Sequence, residues 1–161
     1  EAEDSQRKAI ELNPDLAEAH SSLGNVLKDL GKLQEAEDSQ RKAIELNPDL
    51  AEAHYNLGNV LRNLGKLQEA ENYYHKAIEI NPNFAEVYSN LGGILSDIGK
   101  IDEAILCYEK AIDIDENFDS ALEGIGRSLL KKGNHSDGLL KIREAIGSIG
   151  FNPKKSSITI N

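Results

Sequence analysis

Cysteine occurs once in these 161 residues, at Cys107, so the chain can close no disulfide within itself and can build no thiol metal cluster. A small, half-buried place on a helix is its expected setting. Apolar runs are short, none approaching the roughly 18 to 20 residues that span a bilayer, and the N-terminus lacks the basic and apolar segments of a secretory signal. A reducing, cytoplasmic compartment and no membrane partner are therefore expected. Basic residues are outnumbered, 18 Lys and Arg against 28 Asp and Glu, for a formal net charge of -10. Such a surface repels phosphates, and no nucleic-acid partner is expected.

The usual marks of catalysis are also missing. There is no Gly-rich phosphate loop, no cluster of metal ligands and no nucleophile beside a plausible base. His20 and His54 stand at one repeated, core-facing place and are expected to pack between helices rather than share a metal. His75 and His135 are isolated, and the many Asp and Glu residues are expected mostly on solvated outer faces. Not an enzyme by itself, no cofactor and no metal are the expectations.

Proline is scarce too, yet three of its four occurrences are informative. Asn13-Pro14, Asn47-Pro48 and Asn81-Pro82 lie 34 residues apart, and Asp115-Glu116 takes the same place once more. Residues 1–16, EAEDSQRKAIELNPDL, recur letter for letter at 35–50. A period of this size marks an array in which each unit buries its apolar face against its neighbours. The units are framed as 17–50, 51–84, 85–118 and a degenerate 119–150, after a half unit at 1–16 that suggests an earlier part of the natural chain. SIGFNPKKSSITIN breaks the helical period, and 151–161 reads as an extended tail or linker.

Within 51–84, His54, Leu57, Gly58, Leu61 and Leu64 recur at helical spacing and form the core stripe of a first helix. Gly65 ends it where a left-handed residue is needed, as do Gly31, Gly99 and Gly133. Ala70, Tyr74, Ala77 and Ile78 make the stripe of a second helix, which Asn81-Pro82 stops. Gly24, Gly58, Gly92 and Gly126, facing Ala36, Ala70 and Ala104, let the paired helices approach closely. Gln6 and Gln40 stand where Tyr74 and Tyr108 stand later, which predicts looser early repeats. In the last unit Leu122, Lys132, Gly138 and Gly150 depart from the pattern, as expected of a terminal cap.

These residues resemble the tetratricopeptide repeat family, with Leu-Gly in the first helix, Ala twice in the second and a closing Pro. The style is that of bacterial arrays and of the superhelical repeats of O-GlcNAc transferase. The resemblance implies an all-α, right-handed α-solenoid of stacked antiparallel helix-turn-helix hairpins, whose first helices line a concave groove. At 100° per residue, the groove positions include Glu18, Ser21, Asn25 and Lys28, then Glu52, Tyr55, Asn56, Asn59 and Arg62, then Glu86, Asn90 and Ser96. A carboxamide both donates and accepts, so Asn25, Asn56, Asn59 and Asn90 suit an extended peptide backbone. Asn56 and Asn90 match the asparagine ladder of O-GlcNAc transferase, while Ser22 and Gly124 break it.

The family's carboxylate clamp for acidic chaperone tails does not fit, because Glu18, Glu52 and Glu86 occupy a position where it needs lysine. The leading expectation is a non-catalytic protein-protein interaction scaffold that binds an extended peptide segment through Asn25, Lys28, Tyr55, Asn56, Asn59, Arg62 and Asn90. Its alternatives are a substrate-recruiting arm of a larger enzyme, of glycosyltransferase or oxygenase type, and a module that self-associates through exposed repeat ends.

Overall fold

Glycine closes each hairpin in the same way. Gly31, Gly65, Gly99 and Gly133 have φ of 75°, 76°, 87° and 88°, a region that L side chains resist. Around Gly31, the Lys32 amide donates to Leu27 O at 2.9 Å and the Gly31 amide donates to Lys28 O at 3.0 Å. That pair of bonds satisfies carbonyls left over at the end of the helix. The other three turns repeat it, through Lys66 to Leu61, Lys100 to Leu95 and Asn134 to Leu129.

The opposite joints use Asn or Asp. Asn47 Oδ1 accepts from the Asp49 amide, Asn81 Oδ1 from Asn83 and Asp115 Oδ1 from Asn117, at 3.2, 3.1 and 3.0 Å. Asp115 takes the extended conformation of Asn47, with φ −134° against −138°, although Glu116 rather than proline follows it. The side-chain turn therefore holds the joint even where proline is missing.

The computed structural model describes residues 2–148. The expected tail at 151–161 and Gly150 lie outside the described residues. Those described are all-α, with helices α1 Ala2–Leu12, α2 Ala17–Asp29, α3 Leu33–Leu46, α4 Ala51–Asn63, α5 Leu67–Ile80, α6 Ala85–Asp97, α7 Ile101–Ile114, α8 Asp119–Lys131 and α9 His135–Ser148. The fold is a helical-repeat solenoid. By internal contacts the chain divides into residues 1–87 and 88–161, with the division inside α6.

In the first unit α1 packs on α2, α2 on α3, α3 on α4 and α4 on α5, with α2 also meeting α4. Leu23, Leu27, Ala36 and Val60 form a buried cluster flanked by Ile10 and Leu64. Leu27, Leu57 and Leu61 are almost fully buried, each contributing about 2 kcal/mol by removal from water. Gly24 gives α3 its approach: a Cβ there would stand 2.6 Å from Gln40 Nε2. Gln40 is itself fully buried, donating to Ser21 O at 2.9 Å. A polar tie thus stands at this position where later repeats have an aromatic ring, although Gln40 Oε1 is buried with no hydrogen-bond partner.

In the second unit α7 packs on α8 and α8 on α9. Gly126 and Gly138 face each other, a Cβ on either standing 2.8 Å from the other's carbonyl oxygen. Gly138 is thus required by close contact of two backbones, a reason beyond capping. Lys132, expected on an apolar stripe, is exposed and pairs with Asp102.

Candidate functional site

Three of the four asparagines expected in the groove belong to the first unit, and the structure ties each to its surroundings. Asn25 Oδ1 accepts from Gln40 Nε2 at 3.3 Å, Asn56 Nδ2 donates to Ser21 Oγ at 3.3 Å, and Asn59 Oδ1 accepts from the Tyr74 hydroxyl at 2.8 Å. One end of each carboxamide is fixed from beneath, which orients the amide on the face shared by α2 and α4. All three are half-buried rather than fully solvated. A side chain held this way loses less freedom when it meets a ligand.

Tyr55 leans on Phe84 with ring centroids 5.0 Å apart and on Tyr74 at 6.1 Å, so its ring is braced by two aromatic neighbours. Burial pushes the Tyr74 phenol up, the nearby Arg62 charge opposing and Tyr55 adding to the shift. Tyr74 therefore remains a neutral donor to Asn59 at ordinary pH. Arg62 is exposed, and Lys28 is half-buried with its Nζ 3.4 Å from Asp29 Oδ1. Asn90 lies half-buried on α6 in the second unit, at the repeat position of Asn56.

Some positions differ from expectation. Ser21 and Ser96, assigned to the groove by helical geometry, are buried. Ser21 supports Asn56 from below. Lys131 Nζ donates to Ser96 Oγ at 3.0 Å, and both residues line a second-unit cleft of about 250 Å³ that Gly93 and Gly124 keep open over Tyr108.

The acidic residues are not all solvated either. Glu37 is 4% exposed, accepting from Arg41 Nη2 at 2.8 Å and Lys66 Nζ at 2.9 Å. Burial alone would raise its pKa, but the hydrogen bonds from Lys66 and Arg41 outweigh that and lower it. These ion pairs give no signal in the apolar periodicity, because Glu37 falls outside the apolar stripe. His54 is buried as expected, and its Nε2 donates to Pro48 O at 2.8 Å while the ring stacks on Tyr73.

Among the described residues no group of three His, Cys, Asp or Glu is placed to hold a metal ion, and no helix is long and apolar enough to cross a membrane.

Comparison with known proteins agrees with the hairpin geometry. Tetratricopeptide repeat profiles match residues 51–84 and 85–118, a TPR repeat profile matches 24–65, and a further tetratricopeptide repeat profile matches 6–38. No curated protein matches the chain in sequence. Two crystal structures of MamA are similar at 28% identity, with TM-scores of 0.83 and 0.82, covering 94% and 99% of this chain and 89% and 87% of theirs. A MamA structure from Desulfovibrio magneticus RS-1 shares the fold at 19% identity and a TM-score of 0.82, over 96% of this chain and 86% of its own. Repeats of this kind are scaffolds for protein partners. The chain belongs to the tetratricopeptide repeat family.

Proposed function

We propose that the protein is a non-catalytic scaffold whose α2–α4 face holds an extended peptide segment through Asn25, Asn56 and Asn59, with Tyr55, Lys28 and Arg62 beside them. The observation that carries this reading is the bracing of the carboxamides from the core side. Asn25 spends its oxygen on Gln40, which leaves its amide group to donate to a peptide carbonyl. Asn56 spends an amide hydrogen on Ser21 and keeps its oxygen to accept a peptide N–H. A neighbouring donor and acceptor of this kind match backbone rather than side chains, so affinity should depend weakly on sequence. Asn90 carries a carboxamide at the repeat position of Asn56 in the second unit.

A peptide library titrated against the wild type, Asn56→Ala, Asn90→Ala and the double variant tests this. Each lost amide contact should weaken binding about fivefold, the size of one net hydrogen bond. Equal binding by all four proteins, with unchanged melting curves, would remove the groove assignment.

A further inference from the structure

Away from the asparagine face, the first unit has a hollow of about 320 Å³ lined by Arg7, Ile10, Glu11, His20 and Leu23. One repeat later the corresponding residues are Arg41, Ile44, Glu45, His54 and Leu57. There a tyrosine enters. Tyr73, reaching back from α5, stacks on His54 with ring centroids 5.9 Å apart, lies under the Arg41 guanidinium at 5.7 Å, and accepts from Arg41 Nη1 through its hydroxyl at 2.9 Å. In the first hollow the residue at Tyr73's position is Ser39, whose hydroxyl instead donates to Glu35 O at 2.9 Å.

The walls are otherwise prepared alike. Arg7 pairs with Glu3 at 2.8 Å and Glu35 at 3.2 Å, as Arg41 pairs with Glu37 at 2.8 Å and Glu69 at 3.5 Å. His20 Nε2 meets Pro14 O at 2.9 Å, as His54 meets Pro48 O at 2.8 Å. Each ring is thereby anchored to the preceding turn. Only the phenol is missing from the first copy.

We infer that the hollow lined by Arg7, Ile10 and His20 is a receptor for a tyrosyl side chain presented by a partner protein. The ring stacks on His20 and beneath Arg7, and its hydroxyl accepts from the Arg7 guanidinium. Internal Tyr73 is the template for this occupant, which commits the site to a neutral phenol rather than to an aliphatic or acidic group. The site is separate from the asparagine face, and its test is independent of peptide binding there.

The probe is N-acetyl-tyrosinamide, followed by NMR at the Ile10 and Leu23 methyls and the His20 ring. These signals should shift and saturate with the tyrosine probe, and N-acetyl-phenylalaninamide should bind about tenfold more weakly because it lacks the hydroxyl. Ser39→Tyr should abolish the shifts by filling the hollow from within, and should raise the melting temperature. Tyr73→Ser should create a second saturable response at Ile44 and Leu57; should that variant fail to fold, wild type and Ser39→Tyr still decide the matter. Absence of shifts in the wild type, or their survival in Ser39→Tyr, overturns the proposal. Dimerisation that disappears in Ser39→Tyr would give the hollow to a second copy of this chain and overturn the partner assignment.

Discussion

The Tyr74 hydroxyl donates to Asn59 Oδ1 at 2.8 Å, joining a fully buried ring to an amide on the face proposed to receive peptide. Core packing and groove chemistry meet in that bond. Tyr74→Phe should cost about 1 kcal/mol in denaturant unfolding. A double-mutant cycle with Asn59→Ala should give a coupling of about 1 kcal/mol, whereas additive single effects would show that the bond contributes nothing in solution.

Gln40 occupies the position of Tyr74 in the preceding repeat, and Asn25 that of Asn59. Gly24 already provides the close approach that Gly58 provides to Tyr74. Gln40→Tyr should therefore place a hydroxyl on Asn25 and remove the orphaned Gln40 Oε1, raising stability by about 1 to 2 kcal/mol. A lower thermal midpoint would mean that the first hairpin lacks the room its neighbour has.

Two glycines of one hairpin should respond differently to alanine. At Gly58 a Cβ runs into the Tyr74 ring, and at Gly65 nothing lies within 4 Å but φ is +76°. Gly58→Ala should lose about 1 to 3 kcal/mol by overpacking, and Gly65→Ala about 1 kcal/mol from the left-handed backbone alone. Gly65→Asn should recover part of the second loss and Gly58→Asn none of the first, as measured by thermal melts.

Glu37 makes stability depend on pH. Its folded pKa lies below the ordinary carboxylate value, because the hydrogen bonds from Lys66 and Arg41 overcome the opposing effect of burial. Its contribution is present above the unfolded pKa and is lost as pH falls through the folded one. Glu37→Gln should be less stable than wild type at pH 7, and the two should converge as pH falls through the folded pKa of Glu37, below which the wild-type carboxyl is neutral as well. Denaturation midpoints across this range would show the convergence, and parallel curves would contradict it.

Helices, turns and hairpin crossings were legible in the 34-residue period because backbone conformation and close contact demand particular residues at Gly65, Ala70 and Pro82. Burial of polar groups was not. Residues 1–16 and 35–50 are identical in sequence, yet α1 has no buried residue while α3 buries Ala36, Glu37, Gln40 and Ala43. The same letters meet different neighbours, so no rule reading one segment at a time distinguishes Glu3 from Glu37. The asparagines were found by helical geometry, but their supports, Ser21, Gln40 and Tyr74, belong to other turns or other helices. The hollow beside His20 is illegible in the sequence for a related reason: its signal is Ser39, an ordinary residue until set in three dimensions beside Tyr73.

Each glycine turn closes with bonds that reach no farther than five residues along the chain, from Leu27 to Lys32 in the first case. A joint made so locally travels with any gene segment that encodes it. Duplicating or deleting 34 codons in frame would lengthen or shorten this protein without breaking a connection, so its number of repeats is open to change by recombination while each hairpin stays intact.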